Sequence, residues 1–294
     1  MAGVYSRHSI SEEKMKRITA VLTVLLLALS LNAFAADVKS SLETSMKNFF
    51  KSQNLTNLVP TVTVVKKLNE PAGLYFIKIS ITDTKTKRSQ EQYMFSDGKY
   101  IIPEIVNASN NVSIKDAMVY SATPKTNIDL SKATLFEGKK GAKNTIVVVS
   151  DFQCPYCRKA HAVLRGMLAQ AKPDAAVYMI ALPLAIHPKA PIYSKIFEAG
   201  LALGKDFSDE LYSTDQATDS KTDAQIVDIF AAKSGNPAKF KSLVNSKEIA
   251  AKVDAQDKYA TSLGITGTPH IFFNGKGVGG FNPDMYEMAI RDMK

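Results

Sequence analysis

Residues 146–157 read Ile-Val-Val-Val-Ser-Asp-Phe-Gln-Cys-Pro-Tyr-Cys, an apolar run followed by two cysteines. They are the only cysteines among the 294 residues of the chain. The branched apolar run predicts a buried strand, and Pro155 is typical of the first turn of a helix. A sulfur at such a junction lies over the helix N-terminus, where free N–H groups and the helix dipole favour the thiolate. Because the thiolate is the nucleophile of disulfide exchange, the stretch predicts a redox site at Cys154 and Cys157.

Two other interpretations of the cysteine pair are open. Half of a structural zinc site would need two further ligands, which His161, His187 and His270 could supply, because the chain has no second cysteine pair. A purely structural disulfide would close a very short loop and restrict the unfolded chain little. The proline inside the motif and the strand-to-helix pattern favour the redox interpretation. We therefore predict neither a metal nor a cofactor.

The first 35 residues have the three parts of a secretory signal peptide. Lys14, Lys16 and Arg17 precede residues 18–31, which are apolar apart from threonine and serine, and Ala-Phe-Ala at 33–35 suits cleavage after the last alanine. An uncleaved anchor is the alternative, but the apolar run is shorter than the roughly 20 residues that span a bilayer. The sequence predicts export and a soluble mature protein.

The charge and length of the chain limit its partners and its architecture. The formal net charge is +9, but the lysines are scattered and no basic run alternates with aromatic residues. A nucleic-acid-binding surface is therefore not predicted. The length left after the signal peptide exceeds what one compact core usually holds, which indicates two domains.

Residues 36–106 predict a small α+β domain. Apolar residues recur at helical spacing over 38–51, behind Asp37 as a candidate N-cap. Strands are expected at 61–65 and at 75–81, where apolar and polar side chains alternate. The domain contains no cysteine or histidine, so we expect it to serve structure or assembly.

The sequence becomes polar and rich in turn-forming residues over 107–143. This composition predicts a linker and the entry to the next domain, with the boundary near Lys125. The catalytic domain is then expected over 126–294. Helical patterns fill an insertion at about 190–263 within it.

The remainder of the catalytic domain reads as α/β. A strand at 146–150, a helix after Pro155 and a strand at 177–181 form a βαβ unit. This unit places Cys154 at the carboxyl edge of the sheet, where open α/β folds carry their sites. A strand pair from Ile271 and a last helix complete the domain.

Motifs far apart in the chain together carry a resemblance. Residues 154–161 read Cys-Pro-Tyr-Cys-Arg-Lys-Ala-His, and Gly267-Thr268-Pro269 and Gly-Phe-Asn-Pro at 280–283 lie more than a hundred residues downstream. Through them the region 130–294 resembles the Dsb thiol–disulfide oxidoreductases of the bacterial periplasm, which implies a thioredoxin-like fold with a helical insertion. Phe-Ser-Asp-Gly-Lys-Tyr at 95–100 resembles the dimerisation domain of the DsbC/DsbG subgroup, which implies a cystatin-like N-terminal domain.

The resemblance implies roles for individual residues. Cys154 would be the exposed attacking thiol, and Cys157 the buried partner that resolves mixed disulfides. Pro269 would be cis and face the pair. The backbone of Thr268 would then pair with an extended substrate segment as an added strand.

Two features bear on the redox poise of the site. The dipeptide Pro155-Tyr156 differs from the Gly-Tyr of a DsbC-like isomerase and is similar to that of glutaredoxins and many DsbA-like oxidases. His270 follows the proline where the family often has a small residue, and as a hydrogen-bond donor it would stabilise the Cys154 thiolate. His161 is a second candidate for that role.

The proton acceptor of the resolving thiol is not evident from the sequence. Thioredoxin-like reductases commonly bury an acid six residues before the first cysteine, and here that position is Val148. Solvent and Asp151 are the alternatives, and neither is preferred.

The sequence favours a periplasmic thiol–disulfide interchange protein of the DsbC/DsbG kind. It would isomerise or reduce disulfides in exported proteins, act with a membrane redox partner, and form a homodimer through its N-terminal domain. A DsbA-like disulfide oxidase is the first alternative. A chaperone-like binding module for unfolded exported proteins, with the cysteines secondary, is the second.

Overall fold

The structure is a computed structural model that describes residues 35–109 and 112–293. The predicted signal peptide lies outside these ranges, apart from Ala35, at which the first helix begins. Two compact units divide between Val119 and Tyr120. Within the described ranges, no helix is both long and apolar enough to cross a membrane.

The first unit is a helix packed on an antiparallel sheet, which confirms the predicted α+β architecture. Its elements are α1 (Ala35–Ser52), β1 (Leu58–Lys67), β2 (Tyr75–Asp83), β3 (Ser89–Ser96) and β4 (Ile101–Ile102), with the strands adjacent in that order. The apolar stripe of α1 supplies Val38, Leu42, Met46 and Phe50 to the core. The turn between β3 and β4 is closed by Asp97, whose carboxylate accepts the N–H groups of Lys99 and Tyr100 at 2.8 and 2.7 Å.

Regular elements occupy much of the predicted linker. A short hairpin, β5 (Val106–Asn107) and β6 (Val112–Ser113), leads into α2 (Ile114–Ala122). Met118 and Val119 pack in the first unit, whereas Tyr120 belongs to the core of the second. The division between units therefore falls inside a helix and ahead of Lys125, because α2 supplies apolar side chains to both cores.

The second unit is built on a five-stranded mixed sheet, as predicted for an α/β domain. Its strands are β7 (Thr134–Glu137), β8 (Asn144–Ser150), β9 (Ala175–Ala181), β10 (His270–Phe273) and β11 (Lys276–Gly279). The spatial order is β11-β10-β8-β9-β7, with β8 and β9 parallel and the other pairs antiparallel. Helix α3 (Pro155–Ala171) connects β8 to β9, which confirms the βαβ unit.

The predicted helical insertion is confirmed between β9 and β10. It consists of α4 (Ala190–Ala202), α5 (Ser208–Tyr212), α6 (Gln216–Asp219), α7 (Asp223–Lys233), α8 (Pro237–Val244) and α9 (Lys247–Ser262). Side chains of Thr222, Asn236 and Ser246 cap successive helices by accepting backbone N–H groups of the first turn. The last helix, α10 (Pro283–Arg291), is capped in the same way by Asn282.

Strand β8 is buried on both faces, which explains its unbroken apolar sequence. Ile146 and Val148 pack in a cluster with residues of α3 and α10. Val147 and Val149 pack on the opposite face with Ala260 of α9. The strand therefore holds its carboxyl end, and the cysteines that follow, in the centre of the sheet.

Candidate active site

The two cysteines lie where β8 gives way to α3. Cys154 occupies the N-cap position with an extended backbone, and Pro155 is the first helical residue. The Cys154 N–H donates to the Asp151 carbonyl, and the Arg158 N–H donates to the Cys154 carbonyl, both at 3.1 Å. The predicted strand-to-helix geometry therefore places the Cys154 sulfur over the first turn of the helix.

A loop from the far end of the unit covers the Cys154 sulfur. The Thr268–Pro269 peptide bond is cis, as the resemblance implied. The Thr268 carbonyl oxygen lies 3.6 Å from Cys154 Sγ. Cys154 is only 4 % exposed, so the expectation of an exposed attacking thiol needs correction: the loop before Pro269 screens the sulfur from solvent.

The surroundings of Cys154 favour its thiolate. A hydrogen bond from the Cys157 thiol lowers the pKa of Cys154 the most, to about 5, with further lowering by the Cys157 and Tyr156 N–H groups and by Thr268, while burial opposes the shift. Donors that converge on a sulfur at a helix N-terminus stabilise its charge. These surroundings therefore favour the thiolate form of Cys154 at neutral pH.

Cys157 has the opposite character. It is 1 % exposed, and burial raises its pKa far above the ordinary thiol value, as does its hydrogen bond to Cys154. The Ser150 hydroxyl and the Asp151 N–H contribute in the other direction but do not offset burial. One thiolate and one protected thiol are the two states that sequential disulfide exchange requires.

Beneath Cys157 lies a layer of polar and aromatic side chains. The Tyr212 hydroxyl donates to Ser150 Oγ at 2.7 Å, and burial raises the pKa of Tyr212 well above its usual range. The His161 ring stacks on Tyr212 with 4.3 Å between ring centroids, and His161 Nε2 lies 2.6 Å from an Asp209 carboxylate oxygen. Short helix α5 of the insertion thus contributes directly to the surroundings of the buried thiol.

Asp151 holds the segment of residues 151–154, here called the redox loop, in place. Its carboxylate is fully buried and accepts hydrogen bonds from the Gln153 N–H at 2.8 Å, the Leu184 N–H at 3.0 Å and His187 Nδ1 at 2.7 Å. The Gln153 side chain in turn accepts the Lys189 N–H at 2.7 Å. These contacts tie residues 184–189, after β9, to the loop that carries Cys154. The Asp151–His187 pair could not be predicted from the sequence, because no local pattern links residues so far apart in the chain.

His270 lies away from the cysteines. It pairs with Val149 across the sheet, and a methyl group placed on Gly277 would come within 2.6 Å of its ring nitrogen Nε2. The next residue, Ile271, packs on the face covered by α3, and side chains alternate along a strand, so His270 faces the other side. Burial lowers the pKa of His270. The geometry therefore gives no support to the predicted tuning of Cys154 by this ring.

The remaining predicted residues lie at the surface of the site or next to the sulfurs. Tyr156 is 59 % exposed, with Lys159 Nζ 5.6 Å from its ring centroid. The Thr268 hydroxyl is buried without a hydrogen-bond partner of ordinary geometry, although it lies near both thiols. Across residues 35–109 and 112–293, no three His, Cys, Asp or Glu side chains are grouped in a way that would hold a metal ion.

Comparisons with known proteins agree with this geometry. A family model described as thioredoxin matches residues 130–292. A search among curated protein sequences found no match. Among solved structures, the chain is similar to a thioredoxin-like oxidoreductase from Silicibacter pomeroyi DSS-3, with 21 % identity over 55 % of this chain and 91 % of that one and a TM-score of 0.47.

Two further solved structures show a likeness of similar extent. For BdbD from Bacillus subtilis the identity is 15 %, over 58 % of this chain and 97 % of that one, with a TM-score of 0.47. For the thiol-disulfide exchange protein alpha-DsbA2 from Wolbachia pipientis the identity is 14 %, over 64 % and 100 %, with a TM-score of 0.48. The family model, which covers more than half of the chain, carries the assignment together with the paired thiols. The chain belongs to the thioredoxin family and is a thiol–disulfide oxidoreductase.

Proposed function

We propose that this protein acts in the periplasm as a thiol–disulfide interchange protein that isomerises or reduces disulfides of exported proteins. The observation that carries disulfide exchange, whichever its direction, is the contrast between the two thiols, a Cys154 with a pKa of about 5 beside a buried, protonated Cys157. An isomerase attacks a wrong disulfide with a thiolate. It needs a second thiol only when the resulting mixed disulfide with the client is not resolved by the client itself. This site has both groups.

Two regions of the chain support that proposal. The first unit has its own helix-on-sheet core and, in residues 36–106, no cysteine or histidine, which fits a role in assembly or in holding a client. The Thr268 backbone lies next to the Cys154 sulfur, where an extended client segment would pair as an added strand. A homodimer through the first unit, of the DsbC/DsbG kind, and a membrane partner that supplies electrons belong to this proposal.

A DsbA-like oxidase is the second candidate, and the low pKa of Cys154 favours it. A stabilised thiolate stabilises the reduced pair, which makes the disulfide form a stronger oxidant. The Pro155-Tyr156 dipeptide of the redox motif supports the same function. The two functions therefore differ in the active redox form, which is the reduced pair for an isomerase and the disulfide for an oxidase.

A refolding assay separates the two. We expect the reduced protein, in catalytic amounts, to restore activity to a client whose disulfides are scrambled, and the Cys154→Ser variant to be inactive. Failure of the reduced protein, combined with rapid oxidation of a reduced client by the disulfide form, would establish the oxidase instead. Suppression of client aggregation by Cys154→Ser, without any exchange by the native protein, would leave only a binding function.

A further inference from the structure

The resolving thiol needs a base. When a client or another thiol is joined to Cys154, Cys157 must lose its proton to attack that mixed disulfide, yet burial holds its pKa high. Asp151 already accepts three hydrogen bonds, and the Tyr212 hydroxyl serves as a donor to Ser150. With both groups engaged, the remaining acceptors are solvent and a further side chain near the buried thiol.

His161 stands one helical turn after Cys157 on α3. Residues four apart on a helix share a face, so Cys157 and His161 lie on the same face of α3. Both residues border the same cavity of about 20 Å³ beneath α3. The volume of this cavity is enough for one water molecule, which is the proton carrier that the proposal requires between the two side chains.

The ring of His161 is held in an orientation that suits a base. Its Nε2 lies 2.6 Å from Asp209 Oδ1, and its face stacks on Tyr212. A carboxylate at Nε2 keeps the ring proton there and leaves the Nδ1 lone pair as the acceptor. The side chain is only 13 % exposed, so this orientation is fixed by packing.

The charged groups around the ring keep it neutral near pH 7. Burial lowers the pKa of His161 the most, Asp209 and Asp206 oppose this, and Arg165 adds to the lowering. Glu137, on β7, lines the same cavity and contacts Arg165 at 2.7 Å. A neutral imidazole is the form that accepts a proton.

We propose that His161, held by Asp209, accepts the Cys157 proton across this cavity as Cys157 resolves the mixed disulfide on Cys154. The Cys157 sulfur forms a bond to the Cys154 sulfur, the bond from Cys154 to the other thiol breaks, and that thiol leaves with the electron pair. The proton held on His161 then passes to solvent or to the departing thiolate. Cys154 carries no charge in the mixed disulfide, so its contribution to the high pKa of Cys157 is absent at this step.

The inference rests on the exchange chemistry in the proposed function and is tested on the mature protein with glutathione. Reduced protein is mixed with oxidised glutathione, quenched with acid at set times, and analysed by mass spectrometry for the Cys154–glutathione adduct and the final disulfide. In His161→Gln we expect adduct formation at the native rate and resolution slowed on the order of 100-fold. His270→Gln, a histidine on the opposite face of the sheet, is the matched control and should resolve at the native rate.

The dependence on pH distinguishes a base from a structural side chain. Native resolution should slow as pH falls below the pKa of His161, which lies under the ordinary histidine value of about 6.5, and this inflection should vanish in His161→Gln. Asp209→Asn, a change at an exposed carboxylate, should slow resolution less while leaving adduct formation intact.

Two results would overturn the inference. Resolution in His161→Gln as fast as in the native protein at every pH would exclude the base, and equal slowing in His270→Gln would show a general structural effect. Absence of any Cys154–glutathione adduct in the native protein is a different failure, since it would remove the proposed exchange function and this inference with it.

Discussion

The Cys154 sulfur owes its low pKa to neighbours within one helical turn, chiefly the Cys157 thiol. The two cysteines therefore act on each other as well as on a client. The donor that stabilises the Cys154 thiolate is also the group that later attacks it as a disulfide. Replacement of either cysteine should therefore change the pKa of the thiol that remains.

The alkylation rate of Cys154 should report this dependence. We expect the rate in reduced protein to rise with pH through a midpoint near 5, because the thiolate alone reacts. In Cys157→Ala the strongest lowering influence is gone, and the midpoint should rise by about 1 unit or more. Alkylation with a mass-shifting reagent over pH 3–9 measures both; a native midpoint near 8.5, that of an ordinary thiol, would contradict the assignment.

The pH dependence of Cys154 alkylation also tests whether His270 changes the pKa of Cys154. Its ring faces the side of the sheet away from α3, so His270→Asn should leave the Cys154 midpoint where it is in the native protein. An upward shift of the midpoint would restore the tuning role that the sequence suggested.

Between β9 and α4, a short loop is bound to the redox loop by a buried carboxylate. The Leu184 N–H and His187 Nδ1 both donate to Asp151, and the His187 N–H donates to the Leu184 carbonyl at 2.9 Å, which closes a tight turn. Ile186, at the corner of this turn, is 80 % exposed. The loop is thus rigid at its base and apolar at its tip, next to the cysteines.

Removal of the Asp151 carboxylate should destabilise the protein strongly. Asp151→Ala leaves three partly buried donors without acceptors, and we expect a loss of about 3 kcal/mol in the free energy of unfolding. Asp223→Ala, which removes an exposed partner of Lys189 in the same region, is the control and should cost under about 1 kcal/mol. Urea unfolding of the reduced proteins gives both values; equal losses would show that Asp151 is not a structural anchor.

The chain as a whole joins a unit without redox groups to one that carries the cysteines. Each unit has its own apolar core, and α2 contributes to both through residues on either side of the division. Such an arrangement fits a protein in which one unit performs chemistry and the other organises assembly.

Sedimentation tests the assembly. We expect residues 36–294 to sediment as a dimer and residues 120–294 as a monomer, because the proposed dimer forms through the first unit. The shorter chain should still exchange disulfides with glutathione but lose the refolding of a scrambled client. A monomeric longer chain would end the proposal of a DsbC-like dimer and leave the exchange chemistry untouched.

Most elements of the fold could be predicted from local patterns in the sequence. The apolar run before the cysteines, the helical stripe of α1 and the last helix each depend on neighbouring residues and were predicted. The helical insertion also followed from periodicity. Helix α2 was not predicted within residues 107–143, because its flanks are polar and its few apolar residues are buried in two different cores.

The sequence alone predicted the strand-to-helix junction and the thiolate at Cys154, because these follow from the helix N-terminus and from spacing along one chain segment. The buried resolving role of Cys157 was implied by the family resemblance. Tertiary structure alone decided what surrounds the pair. The screening of Cys154 by the Thr268 carbonyl, the buried Asp151–His187 pair and the orientation of His161 by Asp209 join segments far apart in the chain. Their contacts depend on the packing of the insertion against the sheet, which no local pattern records.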